Sequence, residues 1–312
     1  MRCLLTCLIT LCLACQGKPS AAAASQGSAP STALATSPQP ASDDDGKVAL
    51  VQAELLTAAP AFIAGSETRL ALRLTMAPGW HVYWRGANDT GLPLSVSWEL
   101  PPGAKVGPLQ WPAPERYVSP GGLLDHVYFD ELVVLATLSL PPHRDHDQLT
   151  VAVQLDWLVC DETCLPGNAR LELTLPLRPA GTAIERELND GQRAAATVLA
   201  RALAALPGVP PLELSVSWSA DEIELTVPGA KGLSFFPRDD GLALADMLNR
   251  GVSTDHTLQL LRDRGFAGGD RLIGILEVQG PGDEPPSQHL LDMSPPPADD
   301  DPNGRALAPV AH

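Results

Sequence analysis

Two cysteines, Cys160 and Cys164, are the residues whose type and spacing could do chemistry. They lie four positions apart at the end of a predicted strand, just before Pro166 and Gly167, so their sulfurs can come within disulfide distance in a turn or hairpin. A crosslink over so few residues removes little entropy from the unfolded chain, well under the roughly 3 kcal/mol expected for a loop of about 15 residues. The short spacing therefore favours a redox-active pair over a purely structural bridge, and both interpretations stay open.

The two carboxylates between the cysteines, Asp161 and Glu162, bear on the kind of couple the pair would form. Negative charge disfavours a thiolate, so it raises the pKa of neighbouring thiols. A strong oxidant works in the opposite way, by stabilising its reduced thiolate form. The sequence thus predicts either a reducing electron carrier or an inert bridge.

A soft metal ion is the competing ligand for the reduced cysteines. Thiolates select Cu(I), and either His81 or His126 would supply a third ligand if the fold brought it close. His143 and His146 lie three apart in a polar segment that is typical of solvated surface. The sequence contains no HExxH, no second CxxC besides Cys12–Cys15 in the N-terminal segment, no phosphate-binding glycine loop and no nucleophile elbow, so it favours neither a zinc site nor a hydrolase.

The charge balance argues against polyanionic partners such as nucleic acids and anionic membranes. The 312 residues carry 37 Asp and Glu against 21 Lys and Arg, a formal net charge of −16. Such a chain has no basic footprint for DNA, RNA or an anionic lipid surface. Hydrophobic residues make up 45 % of it, which is enough for a sizeable core in roughly two domains.

The N-terminal segment predicts export from the cytoplasm. Met1–Ala14 carries one positive charge and then about a dozen apolar residues, too few to span a membrane, and is shaped like a secretory signal. Cys15 follows as in a lipobox and is the predicted site of lipidation, although Cys12 stands where leucine is usual. The alternative is an ordinary signal peptide cut nearer the alanines at 21–24. Either route leads to an oxidising compartment, where a disulfide is permitted.

Short runs of apolar residues, separated by Pro and Gly, predict two blocks of strands. Alternation of apolar and polar residues, clearest in Thr68–Met76 and Leu149–Cys160, is typical of half-buried strands. Residues 47–179 are predicted to form a β-sandwich from Val48–Thr57, Thr68–Met76, Leu94–Leu100, Leu132–Leu140, Leu149–Cys160 and Arg170–Leu177. Residues 209–280 are predicted to form a smaller one from Leu212–Trp218, Glu222–Val227, Leu233–Phe236, Thr257–Arg262 and Leu272–Val278.

The remaining segments connect or flank these blocks. Residues 180–208 predict a connecting helix that begins with a capping box from Thr182 to Glu185. Residues 16–46, rich in Ala, Ser, Pro and Gly, predict a flexible linker, and the acidic, proline-rich residues 281–312 predict a disordered tail. The predicted fold is therefore all-β, with two sandwiches joined by a helix.

Four separated motifs resemble one known family: Gly79–Trp84 (GWHVYW), Gly91–Pro93 (GLP), Trp111–Pro114 (WPAP) and Cys160–Pro166 (CxxxCxP). In this order they resemble the N-terminal periplasmic domain (DsbD_N or DsbC-like) of DsbD-type thiol:disulfide interchange proteins, especially the branch that includes the copper-tolerance protein ScsB. Phe235–Pro237 and Leu272–Gly274 are similar to the second sandwich of that branch. The loop after GWHVYW lacks the Pro-Gly pair expected there, which is a departure from the family.

The resemblance implies immunoglobulin-like sandwiches and a cysteine pair that relays electrons. Cys160 and Cys164 would then exchange, one attacking and one resolving, between a thioredoxin-like or membrane thiol reductase and extracytoplasmic partners. No cofactor is expected. The alternatives are an envelope scaffold lipoprotein with a structural disulfide, anchored through Cys15, or a Cu(I)-handling protein.

Aromatic residues near the motifs have two interpretations. They either pack in the core or an interface, or they shield the thiols from unwanted partners. The predicted shield comprises Trp80, Tyr83, Trp84, Tyr128 and Phe129.

Overall fold

The structure is a computed structural model that describes residues 49–142, 146–183, 188–266, 268–296 and 305–307. Outside these ranges lie the signal segment with Cys15, the 16–46 linker, His143, and Glu185 of the predicted capping box. Within them, no helix is long and apolar enough to cross a membrane. The predicted all-β class with immunoglobulin-like sandwiches is confirmed.

The first sandwich consists of two sheets that enclose a common core. One sheet has the strand order β1-β3-β9-β6; the other has the order β2-β11-β10-β4-β8-β7, with β5 also paired to β10. The strands are β1 (Val51–Leu56), β2 (Phe62–Ile63), β3 (Glu67–Met76), β4 (His81–Tyr83), β5 (Ser95–Glu99), β6 (Lys105–Val106), β7 (Glu115–Val118), β8 (Leu124–Phe129), β9 (Glu131–Ser139), β10 (Gln148–Cys160) and β11 (Cys164–Arg178).

The longest hairpin of this sandwich carries the cysteines. Antiparallel β10 and β11 pair continuously from Gln148 opposite Pro176 to Cys160 opposite Cys164. On the other side of β10, β4 joins the sheet at the single pair Cys160 and His81. The cysteines therefore occupy the hairpin end, where β4 begins.

One helix packs on the outside of the first sandwich. Helix α1 spans Asp190–Ala204 and buries Leu199 and Ala202 against β3 and β9. The predicted capping box lies partly outside the described residues, and α1 is capped instead by Asn189, which accepts from the Gln192 N–H while its own N–H donates to the Gln192 side chain. Asn satisfies this geometry as well as Thr does, so a second matching pattern further along the chain supplies the cap.

The second sandwich also has two sheets, with orders β15-β17-β13-β12-β20 and β16-β14-β18-β19. Its elements are β12 (Ser215–Trp218), β13 (Glu222–Thr226), β14 (Gly232–Pro237), β15 (Leu244–Ala245), α2 (Met247–Arg250), β16 (Val252–Ser253), β17 (Thr257–Arg262), β18 (Leu272–Gln279), β19 (Ser287–Met293) and β20 (Arg305–Leu307).

The expectation of a disordered tail is wrong where β19 and β20 lie. Strand β19 pairs with β18 from Leu272 opposite Met293 to Val278 opposite Ser287. Its Leu291 and Met293 are buried in the core of the second sandwich. A few apolar residues at alternate positions therefore fold this segment despite its acidic, proline-rich surroundings.

Candidate thiol–disulfide site

Cys160 and Cys164 form a disulfide, with their Cα atoms 4.2 Å apart. The two halves differ in access to solvent. Cys160 is only 2 % exposed and packs with Tyr83 and Val127, whereas Cys164 is an exposed residue at the start of β11. An incoming thiolate therefore reaches Cys164, and Cys160 lies beneath it.

Tyr83 lies against the exposed cysteine. Its Oη is 3.5 Å from Cys164 Sγ, a hydrogen-bond distance for sulfur. Burial raises the pKa of Tyr83 above its usual 10.0, so the phenol stays protonated and can donate to the sulfur. The side chain that the sequence predicts as part of a shield is thus also a hydrogen-bond donor to the Cys164 sulfur.

A buried polar network holds Tyr83 from behind. The Thr90 side chain lies beside its phenol. Thr90 in turn donates through its N–H and its hydroxyl to the two carboxylate oxygens of Asp125, at 2.9 and 2.5 Å. Asp125 is only 2 % exposed. Because a buried carboxylate is costly unless its hydrogen bonds are satisfied, this network fixes Thr90 beside the phenol.

The GLP motif allows the chain to pass over this ring. A Cβ at Gly91 would lie 2.1 Å from the Cε1 and Cζ atoms of Tyr83. Only glycine permits that approach, which explains the residue type at this position.

His81 is the neighbour of the buried cysteine. It pairs with Cys160 across β4 and β10, so the two side chains project from the same face of the sheet. Its ring lies among Tyr83, Tyr117 and Phe129, with centroid distances of 5.3, 5.2 and 5.3 Å. Burial lowers the pKa of His81 from its usual 6.5, although the charges of Asp125 and Asp161 oppose the shift. A neutral imidazole in an aromatic box therefore adjoins Cys160.

The structure divides the five predicted shield residues into two groups. Tyr83 and Phe129 lie at the disulfide, where Phe129 packs with the Cys160 cluster. Trp80, Trp84 and Tyr128 pack in the main core of the first sandwich.

The residues that sequence reasoning missed complete the site. Tyr117 packs beside Phe129 and His81 in the aromatic box. Thr90 and Asp125 form the polar network behind Tyr83. The ERYV stretch is a short strand pattern that could have pointed to Tyr117, whereas nothing in the sequence shows that Asp125 is buried.

His81 and His126 do not form a metal centre with the cysteines in the part of the chain that the structure describes. Among the described residues, no group of three His, Cys, Asp or Glu side chains is arranged to hold a metal ion. The His126 Nδ1–H donates to the Ala87 carbonyl at 2.8 Å, and its ring packs on Phe236 of the second sandwich. This orientation directs His126 away from the cysteine pair.

Comparisons with known proteins agree with the motifs. The family model for the N-terminal part of the thiol:disulfide interchange protein DsbD matches residues 52–176. The N-terminal periplasmic domain of ScsB from Proteus mirabilis is similar at TM-score 0.51 and 18 % identity, over 79 % of this chain and 94 % of that one. The reduced DsbD N-terminal domain of Neisseria meningitidis has TM-score 0.28 and 14 % identity, over 40 % of this chain and 88 % of that one. A search of curated proteins gives no match. The ScsB similarity, at this identity, shows the fold.

Proposed function

Because the family model of DsbD N-terminal domains matches residues 52–176, we propose that this protein exchanges electrons with partner proteins through Cys160 and Cys164. The observation that carries the proposal is the asymmetry of the pair: one exposed cysteine whose sulfur contacts a phenol, and one buried cysteine next to it. A bridge that only stabilises a loop does not require this arrangement.

The exchange proceeds in two balanced steps. A thiolate of a reduced donor attacks Cys164 Sγ, the S–S bond breaks, and its electron pair leaves on Cys160 as a thiolate that takes up a proton. The second cysteine thiolate of the donor then attacks the donor sulfur of the mixed disulfide. This forms the donor's disulfide and releases Cys164 as a thiolate, which takes up a proton. The donor ends as a disulfide and this protein as a dithiol, which reduces the next partner by the reverse sequence.

The aromatic box restricts which thiols react. Tyr83 covers Cys164 at 3.5 Å, and Phe129 and Tyr117 close the side facing His81. A partner must displace or fit around these rings before its thiolate reaches the sulfur. Two of the residues predicted as a shield, Tyr83 and Phe129, thus keep that role in the proposal, and Tyr117 joins them.

The setting of the reaction follows from the same family and from the N-terminal segment. We place the domain outside the cytoplasm, with thioredoxin-like or membrane-bound thiol reductases as electron donors. Lipidation of Cys15 would anchor the chain, and the 16–46 linker would give the sandwich reach from the membrane surface.

The first test is the reduction potential of the pair, measured against glutathione in the purified mature protein. A value between roughly −170 and −270 mV is expected for a shuttle. A value below about −300 mV would mark a structural bridge and would make the scaffold interpretation the better one.

The second test traps the reaction intermediate. Cys160→Ser leaves the exposed Cys164 without a resolving thiol, so mixed disulfides with partners should accumulate. Cys164→Ser is the matched control, since it leaves only the buried Cys160 and should trap little. Equal trapping by the two variants would contradict the assignment of Cys164 as the attacked sulfur.

A further inference from the structure

The loop at residues 85–90, here called the support loop, lies between the disulfide site and the second sandwich. We propose that the second sandwich is a positioning element of the redox site: Phe236 and Pro237 hold the support loop so that Tyr83 stays against Cys164. This inference rests on the proposed exchange, because the position of Tyr83 matters for function only if the pair reacts.

A single carbonyl of the second sandwich binds the support loop. Pro237 O, at the end of β14, accepts from the Trp84 Nε1–H at 3.4 Å and from the Ala87 N–H at 3.2 Å. Phe236 is only 2 % exposed and is part of the same core cluster as Trp84. The first core therefore continues across the junction instead of ending at it.

The approach at this junction is too close for any residue but glycine. A Cβ at Gly86 would lie 2.0 Å from Trp84 Nε1 and 2.1 Å from Pro237 O. A second polar contact also joins the two sandwiches: the Arg116 guanidinium donates to the backbone carbonyls of Met247 and Leu248. Specific contacts therefore fix the two sandwiches at this point.

The far side of the support loop is bound to β8. The His126 N–H donates to Asn88 Oδ1 at 2.8 Å, and the Thr90 N–H donates to Asp125 Oδ1 at 2.9 Å. The His126 ring lies edge-on to Phe236, with centroids 5.4 Å apart. Phe236 thus packs against the strand that carries the Asp125 carboxylate.

These contacts form a continuous path to the sulfur. Pro237 holds Ala87, the loop leads through Thr90 to Gly91, Gly91 packs closely on the Tyr83 ring, and Tyr83 contacts Cys164. Ordering a loop costs conformational entropy, which its contacts must offset. Loss of the contacts to the second sandwich therefore frees the loop and moves the phenol off the sulfur.

The experiment compares two truncations in the second sandwich of the full mature protein. Phe236→Ala removes the junction contact, whereas Leu225→Ala removes a fully buried side chain from the core of the second sandwich alone. Phe236→Leu is the milder variant if Phe236→Ala does not fold. Two quantities are measured: hydrogen exchange of the 84–90 segment, and the second-order rate of disulfide reduction by dithiothreitol.

With Phe236→Ala, we expect faster exchange at 84–90 and reduction faster by about threefold to tenfold, since access to the attacked sulfur governs the rate. Provided that both variants fold, Leu225→Ala should change neither the hydrogen exchange at 84–90 nor the rate of reduction. Unchanged exchange in Phe236→Ala would show that the second sandwich does not hold the loop. Faster exchange with an unchanged reduction rate would show that the loop does not position Tyr83, and either result overturns the inference. Neither readout needs a partner protein, so failure of partner trapping would count against the exchange function alone.

Discussion

Removal of one oxygen atom tests whether the phenol of Tyr83 acts on Cys164. In Tyr83→Phe the ring keeps its place in the aromatic box, and only the Oη atom, 3.5 Å from Cys164 Sγ, is lost. In the oxidised protein that sulfur is a weak acceptor, so the loss there is small. In the reduced protein a Cys164 thiolate would accept a charge-assisted bond, which is stronger.

The magnitude follows from that difference. A hydrogen bond to a charged group contributes about 1.5–3 kcal/mol, and a neutral one about 0.5–1.5 kcal/mol. A difference of about 1.4 kcal/mol corresponds to about one pKa unit and, for a two-electron couple, to about 30 mV. Tyr83→Phe should therefore raise the pKa of the Cys164 thiol by about one unit. Where the thiol is ionised, it should make the potential more negative by about 30 mV.

The assay is the thiolate absorbance of a Cys160→Ser protein as a function of pH, with and without Tyr83→Phe. Tyr128→Phe is the matched control, because the Tyr128 hydroxyl donates to Pro112 O at 2.8 Å within the core and does not touch the cysteines. An unchanged thiol pKa in Tyr83→Phe, or an equal shift in Tyr128→Phe, would refute the proposed hydrogen bond.

Three further changes have definite expected outcomes. Gly91→Ala should lower the free energy of unfolding in urea by about 1–3 kcal/mol, because its Cβ overpacks the buried Tyr83 ring, 2.1 Å away. Gly280→Ala is the matched control, since an added Cβ there meets open space and the backbone φ is not positive. Burial lowers the pKa of His126 from 6.5, so below that pH the unfolded state binds more protons than the folded state. The free energy of unfolding should therefore fall as the pH decreases from 6.5 through the lowered pKa. His126→Gln should flatten this pH dependence in urea titrations between about pH 5 and pH 8. Arg170→Ala, which breaks exposed ion pairs with Glu99 and Glu172, should leave the urea midpoint unchanged, and a clear loss would contradict the low value expected of surface pairs.

Strands with one buried face could be predicted from the sequence, whereas strands buried on both faces could not. Thr68–Met76 and Leu149–Cys160 alternate in hydrophobicity, and the structure confirms strands there as β3 and β10. In β4 every residue is buried, and in β8 all but the last are, so neither alternates. Periodicity cannot reveal such strands.

The same distinction explains how much of the site could be predicted. The two cysteines of the CxxxC pair are only four positions apart, so their spacing alone predicted that the sulfurs can come within bonding distance. The disulfide confirms that prediction. His81, Thr90 and Asp125 reach the pair through the strand order β10-β4-β8, which joins segments far apart in the chain. No local pattern encodes that order, and therefore the network behind Tyr83 became visible only in the structure.

The charges around the pair bear on whether the proposed exchange would reduce or oxidise its partners. Asp161 and Glu162 lie exposed in the turn between the cysteines, and burial lowers the pKa of His81, so the imidazole beside Cys160 resists becoming a cation. The donor found at the sulfurs is the neutral Tyr83 phenol, which compensates a thiolate less than a positive charge does. Because a strong oxidant depends on a stabilised thiolate, this environment favours the disulfide over the ionised dithiol. If the pair exchanges electrons as proposed, the reduced form should therefore donate them to partners.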